Sequence, residues 1–402
     1  MSIQNGEILM DISVIGLGKA GLPLAAIIAD SGFNVTGIDL DSKKCELINS
    51  GENPIPEEPG LESLIKKYGG KSLRAFTDYC SASNCKAYII IVPLFINEFR
   101  EPDFRTLKGA VKSVGKMLKK GDLVVVETTV PPLTTEELVL RWLEEESGMH
   151  LGEFYLAHSP ERIMSGNCIS RLREFPKVIG GVDKKSGIVA FEMYRKFIPN
   201  LHLVSSARVA EFVKNIEGCY RDVNIALANE LYKIAEELGI EFYESREHAN
   251  HEYCHLLLPS TGVGGHCIPV YPWFLIKEME RKGKDEFADL LRKSREINDK
   301  MIEYWANKIV IACLKIDKPL NKITICIKGI TYRKGVKELF HSRNLALAKL
   351  LADKGFRISI YDEMFTREEI EKLGLAWGDP DLADLTFDPF DLKIKLNAQK
   401  NV

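Results

Sequence analysis

Cys267 closes the stretch Thr261-Gly-Val-Gly-Gly-His-Cys267, and an apolar segment fit to be helix, Ile268 to Leu275, follows it. Three glycines ahead of a cysteine let the backbone come close to a ligand and take φ values closed to other residues. A cysteine where a loop becomes a helix lies near amide donors and the positive end of the helix dipole, and both favour thiolate over thiol. That combination suits a covalent nucleophile. The competing reading is a small buried hydrophobe, the usual fate of a cysteine.

A second constellation lies near the N-terminus. Gly16-Leu-Gly18-Lys-Ala-Gly21 follows an apolar strand over residues 9–15 and opens a helical run from Leu22 to Ala29. A further strand, Asn34 to Ile38, delivers Asp39, 23 residues beyond Gly16. In this context the glycines allow a tight turn and close approach of a pyrophosphate, which the helix N-terminus faces. Asp39 is expected to accept hydrogen bonds from ribose hydroxyls. Its charge, with Leu40 and Asp41 next, disfavours a 2′-phosphate, so NAD is expected rather than NADP. The alternative is a glycine turn that packs helix on strand with nothing bound.

The elements that must position these groups follow in order. Ala87 to Val92 reads as a parallel-sheet strand ending at Pro93. Asp122 to Glu127 is another, running into Thr128-Thr129-Val-Pro-Pro; Phe154 to Ala157 ends in His158-Ser-Pro-Glu161-Arg162, and Lys177 to Val182 follows. Ligands gather at the carboxyl ends of such strands, where Thr129 and Glu161 fall. From Ser206 to Leu238 the pattern is one long amphipathic helix, too long for a crossover and suited to a dimer seam, with Lys214, Gly218 and Arg221 on one face. More helix is expected from Asp285 to Leu314. A strand Asn321 to Ile327, the loop Lys328 to Gly335, a helix Arg343 to Asp353 and a strand Arg357 to Tyr361 ending at Asp362 make a second βαβ unit. Pro380 to Val402 reads as tail. The expected fold is α/β: an N-terminal Rossmann-like parallel-sheet domain (1–203), a central long-helix segment with the cysteine loop (204–312), and a smaller, shortened C-terminal Rossmann-like domain (313–402).

Composition bounds the alternatives. With 402 residues and 45% hydrophobic content the chain can bury two or three cores. A net charge of −3 without a basic block argues against duplex binding. No apolar run approaches the roughly 18 to 20 residues of a membrane helix, and no basic region precedes the first apolar run. Nine cysteines without CxxC pairs suggest reduced thiols and a cytoplasmic home.

Together these blocks resemble the UDP-glucose/GDP-mannose dehydrogenase family. The matching segments are Gly16 to Ala25, Glu127 to Pro132, Ser159 to Arg162, Val178 to Gly181, the central Phe212-Val-Lys214 with Tyr220 to Leu231, and Gly262 to Leu275. The wording of the central helix and of Gly-Gly-His-Cys267-Ile-Pro-Val is most like the branch oxidising UDP-N-acetylhexosamines, particularly UDP-N-acetylmannosamine; UDP-N-acetylglucosamine and UDP-glucose are the alternative substrates. The resemblance implies a homodimer and a four-electron oxidation of the sugar C6 alcohol to a carboxylate, with two NAD⁺ used in turn. It implies Cys267, Lys214, Glu161 and Thr129 as catalytic residues. Gly16, Gly18, Gly21, Asp39, Lys44, Pro93 and Thr129 are then expected around the cofactor, and Glu161, Arg162, Lys214, Gly264 and Arg333 around the UDP-sugar. Four positions depart from the family pattern: Gly218 for an asparagine, Tyr271 for an aspartate, and Cys254 and Phe340 for arginines. They motivate a rival reading, a nucleotide-sugar binding protein with impaired catalysis. A second rival is zinc chemistry, because His251-Glu-Tyr-Cys-His255 spells the helical HExxH signature; no third ligand follows at a protease spacing, so no metal is expected.

Overall fold

Short apolar runs alternating with helices build two separate α/β sheets. The structure is a computed structural model that describes residues 10–162 and 166–397, together with the backbone of a hairpin pairing Ile3–Gln4 with Glu7–Ile8. By internal contacts the chain divides into one unit ending at Ile216 and another beginning at Glu217.

In the first unit the strands are β1 (Ile12–Ile15), β2 (Val35–Ile38), β3 (Leu73–Phe76), β4 (Ala87–Ile90), β5 (Leu123–Val126), β6 (Tyr155–His158), β7 (Lys177–Gly181) and β8 (Leu201–Leu203). Among the described residues they form one eight-stranded sheet in the order β8-β7-β6-β5-β4-β1-β2-β3. Every residue of β1, β4 and β5 is buried, as a sheet covered on both faces requires. The helix α1 (Gly21–Asp30) covers one face and is buried along nearly its whole length. The first strand begins at Ile12, three residues later than its apolar run suggested, and Leu9 lies outside the described residues. β3 was not expected from the sequence, since Leu-Arg-Ala-Phe is too short to show a period.

The sheet is parallel from β3 across to β6, and then β7 runs antiparallel to β6. The connection accounts for the reversal. Its helix Cys168–Glu174 packs against α1, and Cys168 Sγ donates to the Lys19 carbonyl beside the glycine turn. The chain therefore re-enters the sheet from the carboxyl edge instead of crossing back.

The helix α2 (Ala207–Leu238) is the long helix the pattern called for, and it runs from the first unit into the second. The second unit continues with α3 (Phe242–Ala249), α4 (Tyr271–Arg281) and α5 (Asp289–Cys313), the last preceded by a 3₁₀ turn at Asp285–Ala288. Its sheet contains β9 (Thr324–Lys328), β10 (Arg357–Tyr361), β11 (Ala376–Trp377), β12 (Leu385–Asp388) and β13 (Lys393–Leu396), ordered β11-β10-β9-β12-β13. The helix α6 (Arg343–Asp353) joins β9 to β10. The expected tail is corrected here: β12 pairs parallel with β9 and β13 pairs antiparallel with β12. Neither strand has more than four residues, too few for periodicity to register; residues 398–402 lie outside the described part.

Candidate functional site

The turn after β1 has the geometry a dinucleotide needs. The Gly16 N–H donates to the Ile38 carbonyl at 2.8 Å, at a φ of +98°. A Cβ on Gly16 would meet the Ile91 carbonyl oxygen at 2.7 Å, and one on Gly21 would lie 1.8 Å from the Gly16 oxygen. Among the described residues nothing lies within 4 Å of a Cβ on Gly18, which leaves that face open to an approaching ligand. Asp39 accepts the Leu17 N–H and Lys44 Nζ through Oδ2, both at 2.9 Å, and the Asp41 N–H through Oδ1 at 3.0 Å. Burial raises the pKa of this carboxyl, but Lys44 and the two amide donors outweigh it and hold the group below the usual carboxylate range. Lys44 thus acts on Asp39 directly. An ionised acid beside an open glycine turn fits a ribose diol and repels a 2′-phosphate.

The ends of β4, β5 and β6 bring the remaining first-unit residues to one edge. Glu127 and Thr128 both donate their N–H groups to the Ile90 carbonyl. The Thr128 hydroxyl donates to the Val92 carbonyl at 2.7 Å, which joins the chain before Pro93 to the chain before Thr129. The Glu161 N–H donates to the Glu127 carbonyl at 3.1 Å. Arg162 Nη1 donates to the Pro176 carbonyl at 2.6 Å. Lys214 is buried on α2, and its neighbour Asn215 donates Nδ2 to the Val130 carbonyl at 3.0 Å. Thr129, Glu161 and Lys214 are therefore all within a residue or two of backbone bonds around 127–130. Arg221, expected on the Lys214 face, is exposed.

Two buried polar groups at this edge were not singled out from sequence. Glu127 pairs with Lys177 Nζ at 2.8 Å and accepts the Tyr194 hydroxyl at 2.5 Å. Glu211 accepts from Leu133 and Thr135, and Thr135 Oγ1 lies 3.2 Å from His158 Nδ1. Burial, with the Lys177 charge added, pushes the His158 pKa down to about 3, so its ring is neutral. The available signal was a run of acids and amides recurring on one face of α2; it reads as a solvated stripe until the neighbouring loop is known.

In the second unit Cys267 is exposed, whereas six of the nine cysteines are buried. Its carbonyl accepts the N–H groups of Val270 and Tyr271, each at 3.0 Å, forming the turn that leads into α4. The glycines before it meet the loop after β9. A Cβ on Gly264 would lie 2.6 Å from the His341 carbonyl oxygen and 2.8 Å from Tyr332 Cβ, the residue before Arg333. Gly265 donates to the Phe340 carbonyl at 3.0 Å. Cys267, Gly264 and Arg333 thus belong to adjoining loops. The stem of the cysteine loop is held by buried amides: the Ser260 N–H donates to Asn229 at 2.8 Å, and the Thr261 hydroxyl donates to Asn344 at 2.5 Å.

Two departures from the family pattern meet each other here. A Cβ on Gly218 would lie 2.6 Å from Tyr271 Cδ2 and 2.9 Å from Tyr271 Cβ, so the tyrosine occupies the space a side chain at 218 would need. Phe340 stacks on the His266 ring at 4.1 Å and 12°, and His266 Nε2 lies 3.3 Å from Glu338 Oε2. Residues 251–254 form a tight turn closed by reciprocal His251–Cys254 backbone bonds, beyond the end of α3. HExxH therefore does not present two imidazoles on one helical face, which its zinc chemistry requires. The βαβ unit repeats the N-terminal geometry. Gly329 has φ +105° and donates to the Tyr361 carbonyl at 2.7 Å, and Asp362 accepts the Ile330 and Met364 N–H groups at 2.9 Å. A crevice of about 250 Å³ opens there, lined among others by Thr331, Lys334, Asp362 and Phe390.

Residues 10–198 match the NAD binding domain of the UDP-glucose/GDP-mannose dehydrogenase family, and residues 208–300 match its central domain. The chain belongs to that family. Its members are NAD-dependent oxidoreductases acting on nucleotide sugars, and this chain is one of them. A UDP-N-acetyl-D-mannosamine dehydrogenase of Methanococcus maripaludis is 36% identical over 357 residues, 87% of this chain and 79% of the relative. An NDP-N-acetyl-D-galactosaminuronic acid dehydrogenase of Ralstonia solanacearum is 34% identical over 353 residues, 85% of this chain and 80% of that one. The solved UDP-D-ManNAc dehydrogenase of Pyrococcus horikoshii superposes with a TM-score of 0.87 at 32% identity, covering 95% of this chain and 89% of its own.

Proposed function

We propose that this member oxidises C6 of a UDP-N-acetylhexosamine, best UDP-N-acetyl-D-mannosamine, from alcohol to carboxylate. The observation that carries the reading is an exposed cysteine on a glycine turn at the start of α4, in a chain 34–36% identical to several enzymes named for that oxidation. Gly16, Gly18, Gly21, Asp39 and Lys44 would hold NAD⁺, with Pro93 and Thr129 lining its nicotinamide side. Bound NAD⁺ supplies a hydride acceptor, used twice.

The residues supply the rest of the chemistry. Removal of the C6 hydroxyl proton falls to water held between Thr129 and Glu161, or to Lys214. Loss of one hydride from C6 leaves an aldehyde. The Cys267 thiolate adds to its carbonyl carbon, and the oxygen takes a proton to give a thiohemiacetal, which prevents escape. Loss of the second hydride and that proton leaves a thioester. Water deprotonated by Glu161 attacks it, the C–S bond breaks, and acid and thiolate are released. The Lys214 cation stabilises the oxyanion at each stage. Arg162, Gly264 and Arg333 complete the substrate set, with Arg333 on the diphosphate. The segments 1–203, 204–312 and 313–402 correspond in this reading to cofactor, central and nucleotide-sugar domains, in a cytoplasmic homodimer joined along α2.

The test is a panel of UDP-sugars followed at the NADH absorbance. Two NADH per UDP-N-acetylmannosamine is the expected result; a preference for UDP-glucose would reassign the substrate, and tight UDP-sugar binding without NADH would favour the impaired binder. Cys267→Ser is expected to stop before the second hydride transfer, and four-electron oxidation by that variant would overturn the thioester route.

A further inference from the structure

Glu211 is a fully buried carboxylate on α2, one turn ahead of Lys214, and the chemistry above does not use it. Its Oε2 accepts the Leu133 N–H at 2.7 Å. Its Oε1 accepts the Thr135 N–H at 2.7 Å and the Thr135 hydroxyl at 2.6 Å. One turn along the same face, Asn215 Nδ2 donates to the Val130 carbonyl at 3.0 Å and to the Glu211 carbonyl at 2.8 Å. The loop so held carries Thr129 at its start and leads into the π-helical turn Thr135–Val139, whose first N–H groups have no partner within the turn. Glu211 therefore caps that helical start from a different helix. The loop is also strained: Leu133 has φ +77°, a conformation that costs a leucine energy and persists only where its surroundings enforce it.

We propose that Glu211 is a positioning residue: with Asn215 it clamps the 130–135 loop onto the turn of α2 that bears Lys214, and so fixes the Thr129 hydroxyl relative to the Lys214 ammonium. Around the clamp, Glu136 follows on the loop and is paired with Arg208 of α2, while His158 faces it through Thr135. With His158 neutral, its Nδ1–H can donate to Thr135 Oγ1, whose own proton goes to Glu211. That leaves His158 Nε2, which has no partner among the described residues, as a bare acceptor, a cheaper orphan than a buried N–H. The relay thus has one favoured direction, with each donor used once.

This inference rests on the proposed roles of Thr129 and Lys214, so its test has an arm independent of turnover. Glu211→Gln keeps one oxygen as an acceptor and turns the other into an NH2 group, which faces either the Leu133 N–H or the two Thr135 donors. Amide hydrogen exchange of the full-length chain is expected to quicken at least about tenfold in residues 130–135 of the variant, with little change in β4 and β5. In steady-state assays kcat is expected to fall by about 10- to 100-fold, while the Kd for NAD⁺ and the KM for the UDP-sugar stay within about threefold. If Glu211→Gln does not fold, Thr135→Val, which keeps the N–H bond and removes the hydroxyl, is expected to show the same split at smaller amplitude. Unchanged exchange in 130–135 overturns the clamp whether or not the enzyme turns over. Faster exchange with wild-type kcat reduces Glu211 to a stability role and overturns the positioning claim. A wild-type chain silent on every UDP-sugar, with exchange altered as expected, refutes the functional reading and leaves the clamp standing.

Discussion

Gly218 and Tyr271 look like two separate losses when each is compared with the family pattern, yet the coordinates make them one exchange. Glycine in the middle of a helix costs about 1 kcal/mol against alanine, and the tyrosine ring lies where any Cβ at 218 would go. Gly218→Ala should therefore destabilise the wild type, because overpacking of this kind costs about 1–3 kcal/mol. In a Tyr271→Ala background, which removes the ring but keeps the Cβ at 2.9 Å, the same change should cost less than in the wild type. The two free energies, from urea melts of the four proteins, give the coupling; equal effects in both backgrounds would mean the contact carries no energy. Cys267 teaches the converse. Its residue type and glycine approach could be read from the chain, but its exposure could not, since an apolar flank such as Ile268 to Leu275 also suits a buried thiol.

At the scale of an element, α2 buries polar side chains among small apolar ones and leaves large apolar ones exposed. Its buried face carries Glu211, Lys214, Asn215, Asp222 and Asn229, while Val209, Phe212, Ile216, Tyr220, Leu227 and Ile234 are exposed. Apolar residues repeating at steps of three and four along one helix mark a seam for another helix, and the proposed dimer would cover them. The double variant Leu227→Glu/Ile234→Glu should elute from size exclusion with light scattering as a monomer, with its far-ultraviolet circular dichroism retained. A wild type that is itself monomeric would remove the proposal. The length of α2 was legible because no proline interrupts residues 207–238. Which stripe faces inward was not, because both repeat at helical spacing and only the partners decide. Asp222 illustrates this: it is buried against Arg295 at 2.6 Å and Asn298 at 2.9 Å, residues more than 70 positions away.

For the whole molecule, the buried carboxylate on α2 ties folding to pH. Burial pushes the Glu211 carboxyl up to about 7, against the pull of the Thr135 and Leu133 donors. A raised folded value means the folded state holds this proton more tightly than the unfolded one. The resulting stability is present in full below about pH 4.5, the unfolded value, and is lost as pH rises through about 7. At about 1.4 kcal/mol per unit the loss amounts to roughly 3 kcal/mol. Thermal melts between pH 5 and 8 should fall more steeply for the wild type than for Glu211→Gln; parallel curves would put the ionisation elsewhere.

The chain by itself determined the α/β class, the turn from Gly16 to Asp39, the long helix and the family. These depend on periods, glycines and spacings that are local in the sequence and keep their meaning wherever the segment lies. Tertiary structure alone decided that β7 reverses, that residues 385–396 join a sheet, that Tyr271 fills the space over Gly218 and that Glu211 holds a strained loop. Each of those depends on which distant group a side chain or strand edge meets, and the free energy of burying a polar atom or a ring belongs to the pair.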